Sequence, residues 1–315
     1  MNVRDKLFLA PLAGITDSSF RNICIEHGAD IVCSELISAM GLIHNSAKSF
    51  RLMDFSPSGH TAGIQLFGSH AAHLAEAARI AAGQSPDFID INMGCSVKKV
   101  VRTGSGAAML RNPALIEQCV SAVKKSVNIP VSAKIRLGWD SNNALEIARA
   151  VQNGGASFIS VHGRTAVQGF SGNADWDSIA DIKNKLTIPV IGNGDIDSPC
   201  KALEKESYGI DSIMIGRGAM GNPFIFRNIK SLKAEGAYPE VNATEKIACL
   251  RKHYTMAGRQ NDVSFIKYMR KHFHWYTKGI RNIKKYREII NYTESYSEVE
   301  QILDELENNE ITGQL

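Results

Sequence analysis

The chain has 315 residues, 44% of them apolar and 22% charged, with a formal charge of +4. A length of this order buries a sizeable core without covalent staples, and no run approaches the roughly 18 apolar residues that a membrane-spanning helix needs. The six cysteines are scattered, with no Cys-x-x-Cys pair and no His at metal-ligand spacing, and Asp5 and Lys6 interrupt the N-terminus. No membrane span, no metal site, no secretory signal and a cytoplasmic location are therefore expected.

Along the chain, short apolar or β-branched runs alternate with helix-like stretches. The runs lie at 7–10, 31–33, 62–66, 88–91, 131–135, 158–161, 189–191 and 212–215. Between them, 71–82 is alanine-rich, 113–127 opens with Pro113 in its first turn, and 144–151 and 176–185 are amphipathic. Eightfold strand–helix alternation predicts an α/β fold, an eight-stranded parallel (β/α)8 TIM barrel. The alternative is a doubly wound open sheet, but no Gly-x-Gly-x-x-Gly turn follows the first run. After about residue 240 the pattern becomes purely helical, at 245–259, 265–278, 284–291 and 297–306. The expected division is a barrel over 1–240 and a small all-helical C-terminal domain over 241–315.

In such a barrel the site lies at the C-terminal ends of the strands. Those ends are polar here: Pro11 to Gly14 after the first run, Gln65 in the third, and Asn92-Met93-Gly94-Cys95 closing the fourth. The later ones carry Lys134 and Arg136, then His162-Gly163-Arg164, Asn193-Gly194-Asp195 and Gly216-Arg217-Gly218. Glycines in the last two loops let backbone N–H groups approach a phosphate, and Arg217 adds charge. Gly-Arg-Gly taken alone also suits a simple tight turn. A phosphate there would set the rest of a cofactor over the mouth, with Lys134 beneath a flavin's pyrimidine edge and Gln65 and the Ala13 backbone at the ring edge. One phosphate site without a dinucleotide fingerprint fits FMN better than NAD. Cys95 follows a glycine, with Lys98, Lys99 and Arg102 nearby in sequence. Positive neighbours favour a thiolate, so Cys95 suits a general acid or a nucleophile, against the alternative of a buried spectator.

The residues Asp90-Ile91-Asn92-Met93-Gly94-Cys95, followed by Lys98-Lys99-Val100, resemble the signature of the tRNA-dihydrouridine synthases. Ala10-Pro11-Leu12-Ala13-Gly14-Ile15-Thr16-Asp17, Lys134-Ile135-Arg136-Leu137-Gly138-Trp139, Val161-His162-Gly163-Arg164-Thr165 and Met214-Ile215-Gly216-Arg217 resemble its other blocks. The likeness runs from residue 7 to about 290 and is nearest the bacterial B-type subgroup. It implies FMN as cofactor, NADPH as reductant and reduction of the 5,6 double bond of a D-loop uridine in tRNA, position 17 being the one the subgroup suggests. It implies that Cys95 protonates carbon 5 while the hydride goes to carbon 6. Leu12, Ala13, Gly14, Gln65, Lys134, His162, Asn193, Gly194, Asp195, Gly216 and Arg217 would hold the FMN, and Asn92 would meet the substrate. Ser96 stands where the family has proline, which predicts a freer Cys95 loop.

Between Lys246 and Arg287 there are twelve Lys or Arg and one acid, Asp262; from Glu288 onward there are eight acids and no Lys or Arg. Basic and aromatic residues interleave from Lys267 to Tyr276, which suits phosphate contact and base stacking, and Arg270 and Lys271 are the expected tRNA contacts. A solvated face over an aromatic core stripe would give the same pattern, with Phe273 and Trp275 inward. A monomer is expected. Two rivals remain: an enzyme resembling dihydroorotate dehydrogenase, to which the basic segment is superfluous, and an RNA-binding protein without catalysis, hinted at only by Ser96.

Overall fold

A computed structural model describes residues 1–54, 60–259 and 261–311. Among these residues it contains nine strands: β1 (Leu7–Leu9), β2 (Ile31–Cys33), β3 (Ile37–Ser38), β4 (Thr61–Phe67), β5 (Phe88–Asn92), β6 (Val131–Arg136), β7 (Phe158–His162), β8 (Val190–Asn193) and β9 (Ser212–Ile215). All pairings are parallel, and β9 returns to β1 through Leu7↔Ile213, Phe8↔Met214 and Leu9↔Ile215. Eight strands thus close into a (β/α)8 TIM barrel, each matching a run predicted from sequence. The ninth, β3, pairs only with the end of β4 and is not legible in the sequence, because two residues carry no periodicity.

Strand side chains alternate between the barrel interior and the helix layer. On β5, Ile89 and Ile91 join the outer core, while Phe88 joins a separate interior cluster with Phe8 and Phe158. Those rings pack edge-on or tilted as a plug, with Phe88–Phe158 centroids 5.3 Å apart and Phe8–Phe158 6.1 Å. Further along the same inward rows the residues turn polar: Asp90 and Asn92 on β5, Lys134 and Arg136 on β6, His162 on β7. On β5 and β7 the inward row therefore runs from an apolar base, Phe88 or Phe158, to a polar mouth, and this gradient locates the site.

The surrounding helices form where the sequence caps them. Pro113–Ser126 begins with proline in its first turn, and the Asn112 side chain accepts from the Leu115 N–H. Ala71–Ala82 presents Leu74, Ala75, Ala77, Ala78 and Ala81 inward, small enough to bring the helix close to the strands.

Beyond the barrel come Ala243–Met256, Val263–Tyr276, Lys284–Ile290 and Tyr296–Ile311. Their buried side chains, among them Ile247, Leu250, Phe265, Met269, Phe273 and Leu303, belong to the same contiguous core as the outer layer of the barrel. The junction is aromatic: Phe20, on Ser18–Glu26, lies 5.6 Å from His253 and 5.7 Å from His272, centroid to centroid. Phe273 and Tyr276 are fully buried, so they serve this core and not base stacking.

A second junction is backbone against backbone. Gly221 sits at φ +65, and a Cβ there would stand 2.3 Å from the carbonyl carbon of Trp275. Gly258 has a similar φ of +60 but open space around it. Gly258→Ala should therefore show only the left-handed penalty, about 1–2 kcal/mol. Gly221→Ala should lose clearly more, as the Val263–Tyr276 helix is pushed off the barrel, and comparing the two variants by urea unfolding measures the difference.

Candidate active site

The polar ends of the inward rows enclose a cavity of about 560 Å³. Its wall includes Leu12, Ala13, Gln65, Asn92, Cys95, Lys134, His162, Asn193, Gly194, Asp195, Gly216 and Arg217, so twelve residues singled out from sequence share one space. Gly14 lies just behind the wall, its N–H donating to Glu35 and its carbonyl accepting from Lys271. Arg270 is remote from the cavity and donates to the Thr293 carbonyl at 2.9 Å.

One hydrogen-bond chain runs from the barrel interior to Cys95. Asp90, 3% exposed, accepts from Ser132 at 2.6 Å and from Gln65 Nε2 at 2.7 Å. Burial pushes its carboxyl pKa up, against the pull of those two donors and of Lys134. With its amide nitrogen committed to Asp90, Gln65 accepts from Asn92 Nδ2 at 3.0 Å. Asn92 Oδ1 then accepts from the N–H groups of Cys95 at 3.0 Å and Gly94 at 3.3 Å. On the other side, the Cys95 carbonyl accepts from Ala107 N–H at 2.9 Å. The Cys95 loop is thus held from both sides by groups that do not depend on residue 96, and Ser96 itself is exposed.

The cavity wall also carries cations. Lys134 Nζ donates to Asn193 Oδ1 at 3.0 Å, and Asn193 Nδ2 is fixed by the Met214 carbonyl at 2.7 Å. Burial, reinforced by Arg136, pulls the Lys134 pKa down to about 8, with Asp90 opposing. Arg136 donates to the carbonyls of Gly94 at 2.8 Å, Gly169 at 2.9 Å and Thr165 at 3.1 Å, tying the Cys95 loop to the loop after β7. Arg164, 2% exposed, pairs with Asp195 at 2.6 Å, and Arg217 reaches the other oxygen of Asp195 at 3.5 Å.

His162 is neutral: burial, then the charges of Lys134, Arg136, Arg164 and Arg217, push its pKa down to about 2. Because a guanidinium can only donate, His162 Nε2 is the acceptor for Arg164 at 3.4 Å. Gly216 leaves space on the cavity side, where a Cβ would meet nothing nearer than Ala10 at 3.6 Å.

Three participants carry no role that the sequence alone assigns. Arg136 reads only as a charge at a strand end. Phe170, 56% exposed, lines the cavity with Arg217 at 4.3 Å and Arg136 at 5.7 Å from its ring, and its one signal is a lone aromatic in a glycine-rich loop. Glu35 carries no signal, since its partner is a backbone N–H elsewhere in the chain.

Keeping Lys134 protonated in this wall costs folding energy. Its pKa is lowered in the fold, so its proton is held more weakly there than in the unfolded chain. Stability should therefore rise with pH through the window from about 8 to 10.5. Lys134→Met should stabilise the ligand-free protein at pH 7, on the order of 1–2 kcal/mol once the solvent in the cavity is allowed for. Urea unfolding at pH 7 and pH 10 measures this, and the gain should shrink at the higher pH.

Residues 8–312 match the family described as Dihydrouridine synthase (Dus). The chain is 36% identical to "tRNA-dihydrouridine synthase B" of Shewanella oneidensis over 98% of each chain. It is 39% identical to the protein of that name from Pasteurella multocida, over 92% of this chain and 89% of that one. For the Vibrio cholerae protein of the same name, identity is 37% over 97% and 95%. With the match spanning nearly every residue and the barrel and its cation-walled cavity in place, the chain belongs to the dihydrouridine synthase family of oxidoreductases.

Proposed function

We propose that the protein is a tRNA-dihydrouridine synthase that uses FMN and NADPH to reduce the 5,6 double bond of a D-loop uridine. The observation that carries the reading is a thiol lining the same cavity as two cations, Lys134 and Arg136, whose hydrogen-bond partners are neutral. That cavity fits FMN. Lys134, bonded only to a neutral amide, suits the anionic pyrimidine edge of a reduced ring, and the space at Gly216 beside Arg217 suits a phosphate. Gln65, His162 and the Leu12–Ala13 backbone would border the ring, and Asn193, Gly194 and Asp195 would border the phosphate end.

The bound flavin, recharged by NADPH, supplies the hydride for carbon 6 of the uracil. The chain supplies the rest. A base inside a folded tRNA must be extruded to reach the cavity, and unstacking it costs a few kcal/mol. Phe170 at the mouth offers an aromatic face, and Arg136 and Asn92 offer donors to the base edge. Cys95 donates the proton to carbon 5 from a loop held by Asn92 and Ala107. His162, being neutral, cannot serve as a competing acid near neutral pH.

Residues 241–315 are proposed as the RNA-binding helical unit of this enzyme, with 1–240 as its catalytic barrel. Several of the basic residues in that unit are already paired: Arg251 with Asp304 and Glu307, Lys267 with Glu294, and Lys252 with Glu26 of the barrel. Arg270 and Lys271 are engaged by backbone carbonyls. Lys278, Arg281 and Lys284 are exposed and have no carboxylate within ion-pair reach among the described residues, so the proposed phosphate contact falls on them.

Two experiments test the reading. Cys95→Ala should keep its FMN and oxidise NADPH, yet reduce uridine about 10² to 10⁴ times more slowly. Stopped-flow reoxidation of the reduced enzyme by tRNA measures that step, and wild-type rates would make Cys95 a spectator. The triple variant K278E/R281E/K284E should bind tRNA more weakly. Its slope of log affinity against log salt should be shallower by about 0.7–0.9 for each phosphate that is no longer neutralised. An unchanged slope would remove these residues from the interface.

A further inference from the structure

Residues 11–16, the loop after β1, form one wall of the cavity through Pro11, Leu12, Ala13 and Ile15. The loop is pinned near its ends by the barrel's own residues. Thr16 Oγ accepts from the Leu12 N–H at 2.9 Å, and buried Arg21 donates to the Thr16 carbonyl at 2.7 Å. Its middle depends on Gly14, which sits in the left-handed region at φ +72. The Gly14 N–H donates to the buried Glu35 carboxylate, between β2 and β3. The Gly14 carbonyl accepts from the ammonium of Lys271, 257 positions away on the Val263–Tyr276 helix. That ammonium also rests 3.6 Å from the ring centroid of Tyr268, three residues back on the same helix, which holds the side chain aimed at the loop.

We propose that Lys271 is a positioning residue of the catalytic cavity. It fixes the Gly14 peptide, and through it the Leu12–Ala13 wall, so that docking of the Val263–Tyr276 helix and the shape of the cofactor cavity are coupled. The inference rests on the FMN reading above for its functional consequence, but the clamp is a property of the protein alone. A lysine in a basic helix would ordinarily be read as a phosphate contact. Here the Gly14 carbonyl of the barrel already engages it, and the two roles make opposite forecasts.

The test compares K271M and K271R with the wild type. In cofactor-free protein, hydrogen exchange of the amides at 11–17 should quicken in K271M and return towards wild type in K271R, whose guanidinium can still donate to Gly14. Exchange of the β5–β6 peptides should stay unchanged, which separates a loosened loop from a failed fold. Dissociation of FMN from K271M should rise about tenfold, the scale of one charge-assisted hydrogen bond, with an altered visible spectrum of bound flavin and rescue by K271R. The slope of tRNA affinity against salt should match the wild type. Unchanged exchange at 11–17 overturns the clamp. A lower tRNA affinity with a shallower salt slope and normal FMN binding also overturns it, and makes Lys271 an RNA contact. If the wild type takes no FMN, the cofactor reading fails, while the exchange measurement still decides whether the clamp exists.

Discussion

Barrel closure brings Lys134, Arg136 and Arg217 into one cavity, with Arg164 paired to Asp195 of its wall, and the carboxylates there do not match them. Asp195 is shared between Arg164 and Arg217, and Lys134 and Arg136 are left with amide and carbonyl oxygens only. Like charges brought together at low dielectric raise the free energy of the fold unless an anion joins them. Burial first, and that field second, lower the pKa values of Lys134 and His162. Other features of the site read as responses to it. His162 stays neutral, Asn193 is locked by Met214 to present its oxygen, and Gly216, after β9, leaves room beside Arg217.

The fold is legible in the sequence because the strands of a parallel barrel, buried on both faces, read as short apolar runs set off by the helices between them. On β5 the inward row reads Phe88, Asp90, Asn92, so base, support and rim can be named in order from sequence. The helices 71–82 and 176–185 are readable to the residue because their apolar faces are local, as is the Asp175 cap of the second. Contacts that bridge distant segments are not legible. Nothing near Lys271 announces that its partner is Gly14, and nothing near Gly221 announces the Trp275 carbonyl. Phe170 escapes for the opposite reason: its loop has no period, so exposure there cannot be anticipated.

The basic stretch from Lys246 to Arg287 shows how charge counting misleads. Read linearly it is a uniform cationic surface. Folded, it is sorted by the acids that follow it in sequence, which neutralise Arg251 and Lys267, and by carbonyls that engage Arg270 and Lys271. The interleaved aromatics are the hydrophobic seam against Phe20. The absent proline after Cys95 is a similar case. Its effect depends on Asn92 and Ala107, which hold the N–H and the carbonyl of Cys95 just before residue 96 and are invisible to a comparison of that position alone.

If the cation-walled cavity is built for an anionic cofactor, the phosphate must matter as much as the ring. The direct measurement is a titration of cofactor-free protein with FMN and with riboflavin, which differ only in that group. FMN should bind at least about 100-fold more tightly, as expected for two charge-assisted hydrogen bonds, and the gap should narrow in Arg217→Ala. Equal affinities, or no binding of either flavin, would contradict the account.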